Sequence, residues 1–288
     1  MSAPERDFPH PIFIGGSART GTHAMGRLIC SLPHYAMLGL EARFHCANGG
    51  LSDLLTGRTD LDSFRDRVLG MWWSRGLLGE KGLCEITTRE RIEATMDAFA
   101  ARFESDPWEA GRDLVRGLLD PVAERQGKPA WVDVSGFNVR AGPVLHRLFP
   151  RAKVVHMVRD GRAVVASILN KRDQTDDREV ALAHWERRIR YSHEGLREMG
   201  PSDALTVDLD ALTASDRERQ FARVVEFLEV DDPAPIRRHF ETRVSAERAN
   251  VGAWRSRLSP ADARWLNRRY RAAVRELRRE GIDWVPEP

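Results

Sequence analysis

Apolar residues run through Pro11-Ile12-Phe13-Ile14-Gly15, and the next apolar positions, Met25, Leu28, Ile29 and Leu32, recur at three- and four-residue spacing. A short run ending in glycine, followed by helical periodicity, predicts a strand, a tight loop and a helix. The pattern returns after Pro150. Lys153 to Val158 is β-branched and apolar, Arg159-Asp160-Gly161 turns, and Arg162 to Asn170 has helical spacing. Ala130 to Val134 and Ala204 to Leu209 predict two further buried strands. Continuous apolar strands separated by helical patterns predict an α/β fold with a parallel sheet covered on both faces.

The intervening stretches read as helices over Ser63–Trp73, Arg89–Phe103, Trp108–Arg125, Asp177–Met199 and Ser215–Leu228. Ser259 as N-cap and Pro260 at the first helical position start a last helix that runs to about Glu280, where Gly281 stops it. No linker-like tract, repeat or low-complexity block interrupts the 288 residues. The expected organisation is one domain over 1–288, with a helical layer inserted at about residues 50–127.

Composition narrows the classes. With 42% hydrophobic and 31% charged residues the chain has the make-up of a globular protein, and no apolar stretch approaches the roughly 20 residues of a membrane span. Residues 1–10 contain Glu5, Arg6 and Asp7 and no apolar run, so they do not read as a secretory signal and predict a cytoplasmic protein. Three cysteines, Cys30, Cys46 and Cys84, suit neither a disulfide framework nor a zinc site, and no metal is expected. A net charge of +2 creates no global field, so anion binding must come from local placement. The arginines of the last helix are interleaved with Glu276 and Glu280 and lack a stacking platform, which argues against nucleic acid. Oligomeric state leaves no signal.

The local placement is in the loop Gly15-Gly16-Ser17-Ala18-Arg19-Thr20-Gly21-Thr22-His23. Joining a strand to a helix, it turns backbone N–H groups and the positive end of a helix dipole toward one point, which suits an anion. Gly16 and Gly21 keep the GxxxxG skeleton of a Walker A loop, but Thr22 and His23 stand where its lysine and hydroxyl belong. Without that lysine, and with no evident apolar strand ending in a second carboxylate, a kinase using magnesium ATP is the weaker alternative.

Arg19-Thr20-Gly21-Thr22 resembles the first signature of the sulfotransferases that use 3'-phosphoadenosine 5'-phosphosulfate (PAPS), a (K/R)-(S/T)-G-T-(T/S) loop from which His23 departs. Their second signature, strand, R-D-(P/G), helix, with a serine eight residues after the arginine, is met by Arg159-Asp160-Gly161 and Ser167. A third element, glycine-x-W-(K/R), is met by Gly252-Ala253-Trp254-Arg255. The three occur in the family order across residues 11 to about 268. The resemblance implies a P-loop-like three-layer fold and transfer of a sulfuryl group from PAPS to a hydroxyl, with an amine as the lesser alternative, of a small-molecule, carbohydrate or lipid acceptor.

It further implies that Thr20, Gly21, Thr22 and the backbone around Ser17 hold the 5'-phosphosulfate, that Arg159 and Ser167 hold the 3'-phosphate, and that Arg248, Gly252, Trp254 and Arg255 close over the nucleotide. His23, where the chain departs from the family pattern, either donates a hydrogen bond to a phosphate oxygen or caps the helix. Arg19 is the candidate cation for charge on the leaving phosphate. Glu41, in Leu40-Glu41-Ala42-Arg43-Phe44, resembles an E-x-R element of the family's tyrosylprotein and bacterial branches and is the candidate base. Its apolar flanks predict apolar surroundings and a raised pKa. An ion pair with Arg43 is the competing reading, and His45, His23 and His34 are competing bases. Many relatives carry a lysine where this chain has Val134, while Asn138 keeps a frequent family asparagine. These departures leave room for a nucleotide-binding protein without transfer activity. The acceptor is left to residues 45–80 and 171–185.

Overall fold

The computed structural model describes residues 10–74, 82–171 and 175–288. Residues 1–9, which carry the reading of the N-terminus, and parts of both expected acceptor segments lie outside them. Five strands, β1 (Ile12–Gly16), β2 (Tyr35–Met37), β3 (Ala130–Val134), β4 (Lys153–Val158) and β5 (Ala204–Asp208), form a sheet in the order β2-β3-β1-β4-β5. Every pairing is parallel.

Alternation along the strands divides the core. Phe13, Trp131 and Val154 face one way. On that side lie α2 (Leu51–Leu55), α3 (Leu61–Leu69), α4 (Arg89–Phe103), α5 (Pro107–Arg125) and α6 (Asn138–Leu148). Ile12, Ile14, Val132, Val134, Val155 and Met157 face the other way, toward α1 (Thr22–Ile29), α9 (Arg217–Phe227) and α10 (Ala234–Arg243). A third cluster joins α7 (Gly161–Asn170), α8 (Arg178–Leu196) and α13 (Pro260–Arg279), the last after the short α11 (Ala246–Ala249) and α12 (Trp254–Arg257). A parallel sheet between helical layers is the architecture its apolar strands predict. No described helix is long and apolar enough to cross a membrane.

The differences from expectation have local causes. The helix expected from Ser63 starts at Leu61, because Asp60 accepts a hydrogen bond from Ser63 N at 2.7 Å, and stops at Leu69, where Gly70 leaves helical geometry. Strand β2, three residues on the sheet's edge, is too short for any periodicity. Helix α6 is hidden by Gly142 and Pro143. Proline costs a helix one N–H and frees the carbonyl four residues back, here Val139 O, against which Gly195 of α8 packs so closely that a Cβ would lie 1.9 Å away. Pro121 in α5 frees Gly117 O in the same way, and Arg91 Nη2 donates to it at 3.4 Å. The last helix begins as expected, with Ser259 Oγ accepting from Asp262 N at 3.1 Å.

The carboxyl ends of β1, β3 and β4 open onto one edge of the sheet, the position at which parallel α/β sheets bind ligands.

Candidate active site

Between β1 and α1 the chain turns inside a space only glycine can fill. Gly16 has φ +143°, and a Cβ there would sit 2.3 Å from Met157 O of β4. Thr20, buried, donates its hydroxyl to Ser17 O at 2.8 Å and closes the turn, and Arg19 adopts φ +69°. Gly21, at φ +86°, is the N-cap of α1 and provides no side-chain cap, so the first N–H groups of the helix are left for an anion. Gly16→Ala must push β1 from β4, and the expected cost is about 1–3 kcal/mol. Urea unfolding measures it, and an unchanged midpoint contradicts the described packing.

Arg159 leaves the end of β4 as a buried cation, 8% exposed. Its Nη1 donates to Arg19 O at 3.3 Å, its Nη2 to Ala249 O and Asn250 O at 2.5 and 3.2 Å. Its Nε lies 3.4 Å from Asp210 Oδ1, too poorly aligned for a hydrogen bond. Burial pulls its pKa down and Asp210 opposes that shift. On α7, Ser167 Oγ accepts from Arg19 Nε at 2.9 Å. The two signatures, 148 residues apart in sequence, therefore meet directly. Strand β5 does end in a carboxylate, Asp208, contrary to expectation, but it caps the following turn, accepting from Asp210 N and Ala211 N at 2.8 and 3.2 Å.

Two cavities open on either side of the loop. The first, about 780 Å³, is bordered by Gly21, Thr22, His23, Arg159, Ser167 and Arg248; its lining contains six arginines and two histidines and, among the described residues, no carboxylate. The second, about 790 Å³, is bordered by Ser17, Glu41, Arg43, Phe137, Arg188 and Tyr191. Both have the size of small-molecule sites. Arg19, Thr22 and His23 belong to both, so they stand where the cavities meet.

Glu41 is half-buried in the second cavity, and its surroundings are not the apolar ones its flanks predict. Arg43 Nε and Nη2 donate to its Oε2 at 3.1 and 2.9 Å, and His23 Nε2 lies 3.8 Å from Oε1. The expected ion pair with Arg43 is thus present. It ties one carboxylate oxygen and leaves the other toward His23. The segment carrying Glu41 is anchored from below: Ala42 N donates to Asp133 Oδ1 and Arg43 N to Ser135 Oγ, both at 3.4 Å. His45 is sealed beneath them, its Nε2 2.9 Å from Asn138 Oδ1 and 3.2 Å from Asp133 Oδ2, and it reaches neither cavity. Asn138 also donates to Ile14 O at 3.1 Å. It is a structural clamp at the start of α6. His34 precedes β2 at the opposite edge of the sheet.

The model for a family described as "Sulfotransferase family" matches residues 11–234. This chain belongs to that family. Over 240 residues it is 26% identical to protein-tyrosine sulfotransferase 2 of Gallus gallus, matching 80% of this chain and 54% of that protein. Over 100 residues it is 31% identical to protein-tyrosine sulfotransferase A of Caenorhabditis elegans, matching 33% of this chain and 26% of that one. The chain thus spans about half the length of the first relative and about a quarter of the second. Among solved structures, the sulfotransferase domain of the Synechococcus PCC 7002 olefin synthase superposes with a TM-score of 0.47 at 20% identity, over 90% of this chain and 92% of that one. Sulfotransferase STF1 of Mycobacterium tuberculosis H37Rv gives 0.49 at 17% identity, over 87% and 76%.

The third family element sits differently. Arg248 borders the first cavity, but Gly252, Trp254 and Arg255 border neither. Trp254 is buried against Ala163 and Ala166, with the guanidinium groups of Arg162 and Arg255 at 4.8 and 4.7 Å from its ring. Trp72 is core, and Trp108 carries Arg147 at 3.6 Å from its ring centroid; both lie outside the cavities. Val134 packs in the core beside Gly26. A cation that no sequence signature marks, Arg188 of α8, borders the second cavity.

Proposed function

We propose that this chain transfers a sulfuryl group from PAPS to a hydroxyl of a small-molecule, carbohydrate or lipid acceptor and releases adenosine 3',5'-bisphosphate. The names of the curated relatives add a protein tyrosine hydroxyl to these acceptors. The observation that carries the proposal is the meeting of two cavities, one lined by cations without a carboxylate and one containing a carboxylate, at Arg19, Thr22 and His23.

The first cavity fits a bisphosphorylated nucleotide. Six arginines line it without a carboxylate among the described residues, and α1 offers an uncapped N-terminus. Arg159 and Ser167 would hold the 3'-phosphate; Ser17, Thr20, Gly21, Thr22 and His23 would hold the phosphosulfate. PAPS supplies the activated sulfuryl group. Arg19, whose Nε is engaged by Ser167 and whose other nitrogens have no hydrogen-bond partner among the described residues, places a guanidinium where charge develops on the leaving phosphate. Glu41 Oε1 is the acceptor-side base, and Arg43 fixes the orientation of its carboxylate.

Arg159→Ala tests the cofactor assignment. A charge-assisted hydrogen bond contributes about 1.5–3 kcal/mol, so affinity for adenosine 3',5'-bisphosphate should fall about 10- to 100-fold, while AMP binding hardly changes. Calorimetric titration reads both. Equal loss for the two nucleotides contradicts the assignment.

A further inference from the structure

The second cavity is basic in a way that proton abstraction by Glu41 does not require. Arg43, Lys171, Arg187 and Arg188 face it against a single carboxylate among the described residues, Glu41. His184, also on its wall, has its pKa lowered by burial and then by Arg187 and Arg188, which keeps it neutral at neutral pH.

Arg188 is the centre of this surplus. Its guanidinium lies over the Phe137 ring, 3.7 Å from the centroid. Its Nη2 occupies the space a side chain on residue 136 would need, since a Cβ on Gly136 would come within 2.4 Å of it. Gly136 O in turn accepts from Gly16 N at 3.4 Å, so the cation is seated where β1 and β3 end, beside the phosphosulfate loop.

Arg188 is half-buried, and other arginines withdrawn from solvent have carboxylates to answer their charge. Arg140 has Asp53 at 2.9 Å, Arg162 has Asp160 at 2.8 Å and Arg159 has Asp210 at 3.4 Å. Arg188 makes no ion pair or hydrogen bond with any described residue. Burial draws its pKa down to about 10, with Glu41 opposing, so it stays charged at neutral pH. Partly withdrawing a cation from water without a directly paired carboxylate is costly, and an arriving anion recovers part of that cost. Arg188 borders the second cavity, the one that contains Glu41, and not the first, which the proposed function gives to the nucleotide.

We infer that Arg188 is a specificity residue for the acceptor: the acceptor is a hydroxyl compound that also carries a carboxylate, sulfate or phosphate, held by this guanidinium while the hydroxyl meets Glu41. Phe137 and Tyr191, with ring centroids 6.4 Å apart, offer apolar surface to the part between the two groups. This inference rests on the sulfuryl-transfer reading, because it takes the first cavity as the nucleotide's.

Matched pairs of hydroxyl compounds test it: 4-hydroxyphenylacetate against its methyl ester, and glucose 6-phosphate against methyl glucoside. Each is titrated calorimetrically into protein saturated with adenosine 3',5'-bisphosphate, and each is assayed for transfer of labelled sulfate from PAPS. At least one anionic member should bind and be sulfated in preference to its neutral partner. Arg188→Gln should weaken that binding about 10- to 100-fold, with Arg188→Lys recovering part of it and bisphosphate affinity unchanged in both variants. Preference for the neutral members, equal weakening of both members in Arg188→Gln, or no binding of any anionic member while the bisphosphate binds overturns the inference. Failure of the bisphosphate itself to bind the wild-type protein instead overturns the cofactor reading on which the inference rests.

Discussion

Glu41→Gln is expected to lower the rate of sulfate transfer about 10²- to 10⁴-fold, the usual worth of a positioned general base, and to leave affinity for adenosine 3',5'-bisphosphate unchanged. Glutamine has nearly the size of glutamate, and its amide oxygen still accepts from Arg43, so the segment keeps its anchor. Only the capacity to take a proton is lost. Glu41 borders the second cavity and not the first, which is why nucleotide binding should be spared. Labelled-sulfate transfer and calorimetry on the same preparation separate the two effects. Turnover near the wild-type rate contradicts the base assignment and passes the role to His23, the one remaining candidate histidine that borders both cavities.

Asp133→Asn is expected to cost about 3–5 kcal/mol of stability, the range for breaking a buried ion pair from one side. Burial alone would raise the Asp133 pKa, but His45 and hydrogen bonds from Asn138 and Ser135 outweigh it and hold the carboxyl below its ordinary value. Burial would likewise lower the pKa of His45, but Cys46 and Asp133 outweigh it and hold the imidazole well above its ordinary range. The signs of the pH dependence follow. The contribution of Asp133 is present above the unfolded carboxyl pKa, about 3.9, and is lost as pH falls through the lower folded value. The contribution of His45 is complete below the unfolded imidazole pKa, about 6.5, and is lost as pH rises through the higher folded value. The pair therefore stabilises the fold most between about pH 4 and 6.5. Asp133→Asn should lower the urea midpoint most in that window, and an equal midpoint for variant and wild type there contradicts the pairing. Because Asp133 also accepts from Ala42 N, the same change should loosen the segment that carries Glu41.

Strands β1, β3, β4 and β5 were legible because each is an apolar run, and the two signature loops because their glycines and charges sit at strand ends. The meeting of Arg19 with Ser167 follows from β1 and β4 being neighbours in the sheet. Elements whose stability comes from their partners were not legible. Helix α6 runs through Pro143 with a glycine of α8 packed against the freed carbonyl, and three-residue β2 exists through its pairing with β3. The ion pair of Glu41 with Arg43 was legible as an alternative from their two-residue spacing, but not the turn at Arg43, φ +53°, that forms it. Arg188 is one of several charged positions along α8, and only packing against Phe137 singles it out. Trp254 shows the converse: a residue type that suits a nucleotide ring is used here to cover α7.

The most direct test of the central claim is calorimetric titration of the wild-type protein with adenosine 3',5'-bisphosphate, with AMP and magnesium ATP alongside. Tight binding that depends on the 3'-phosphate is the predicted result. Binding of magnesium ATP with no response to the bisphosphate would contradict the claim and favour a phosphoryl-transfer enzyme.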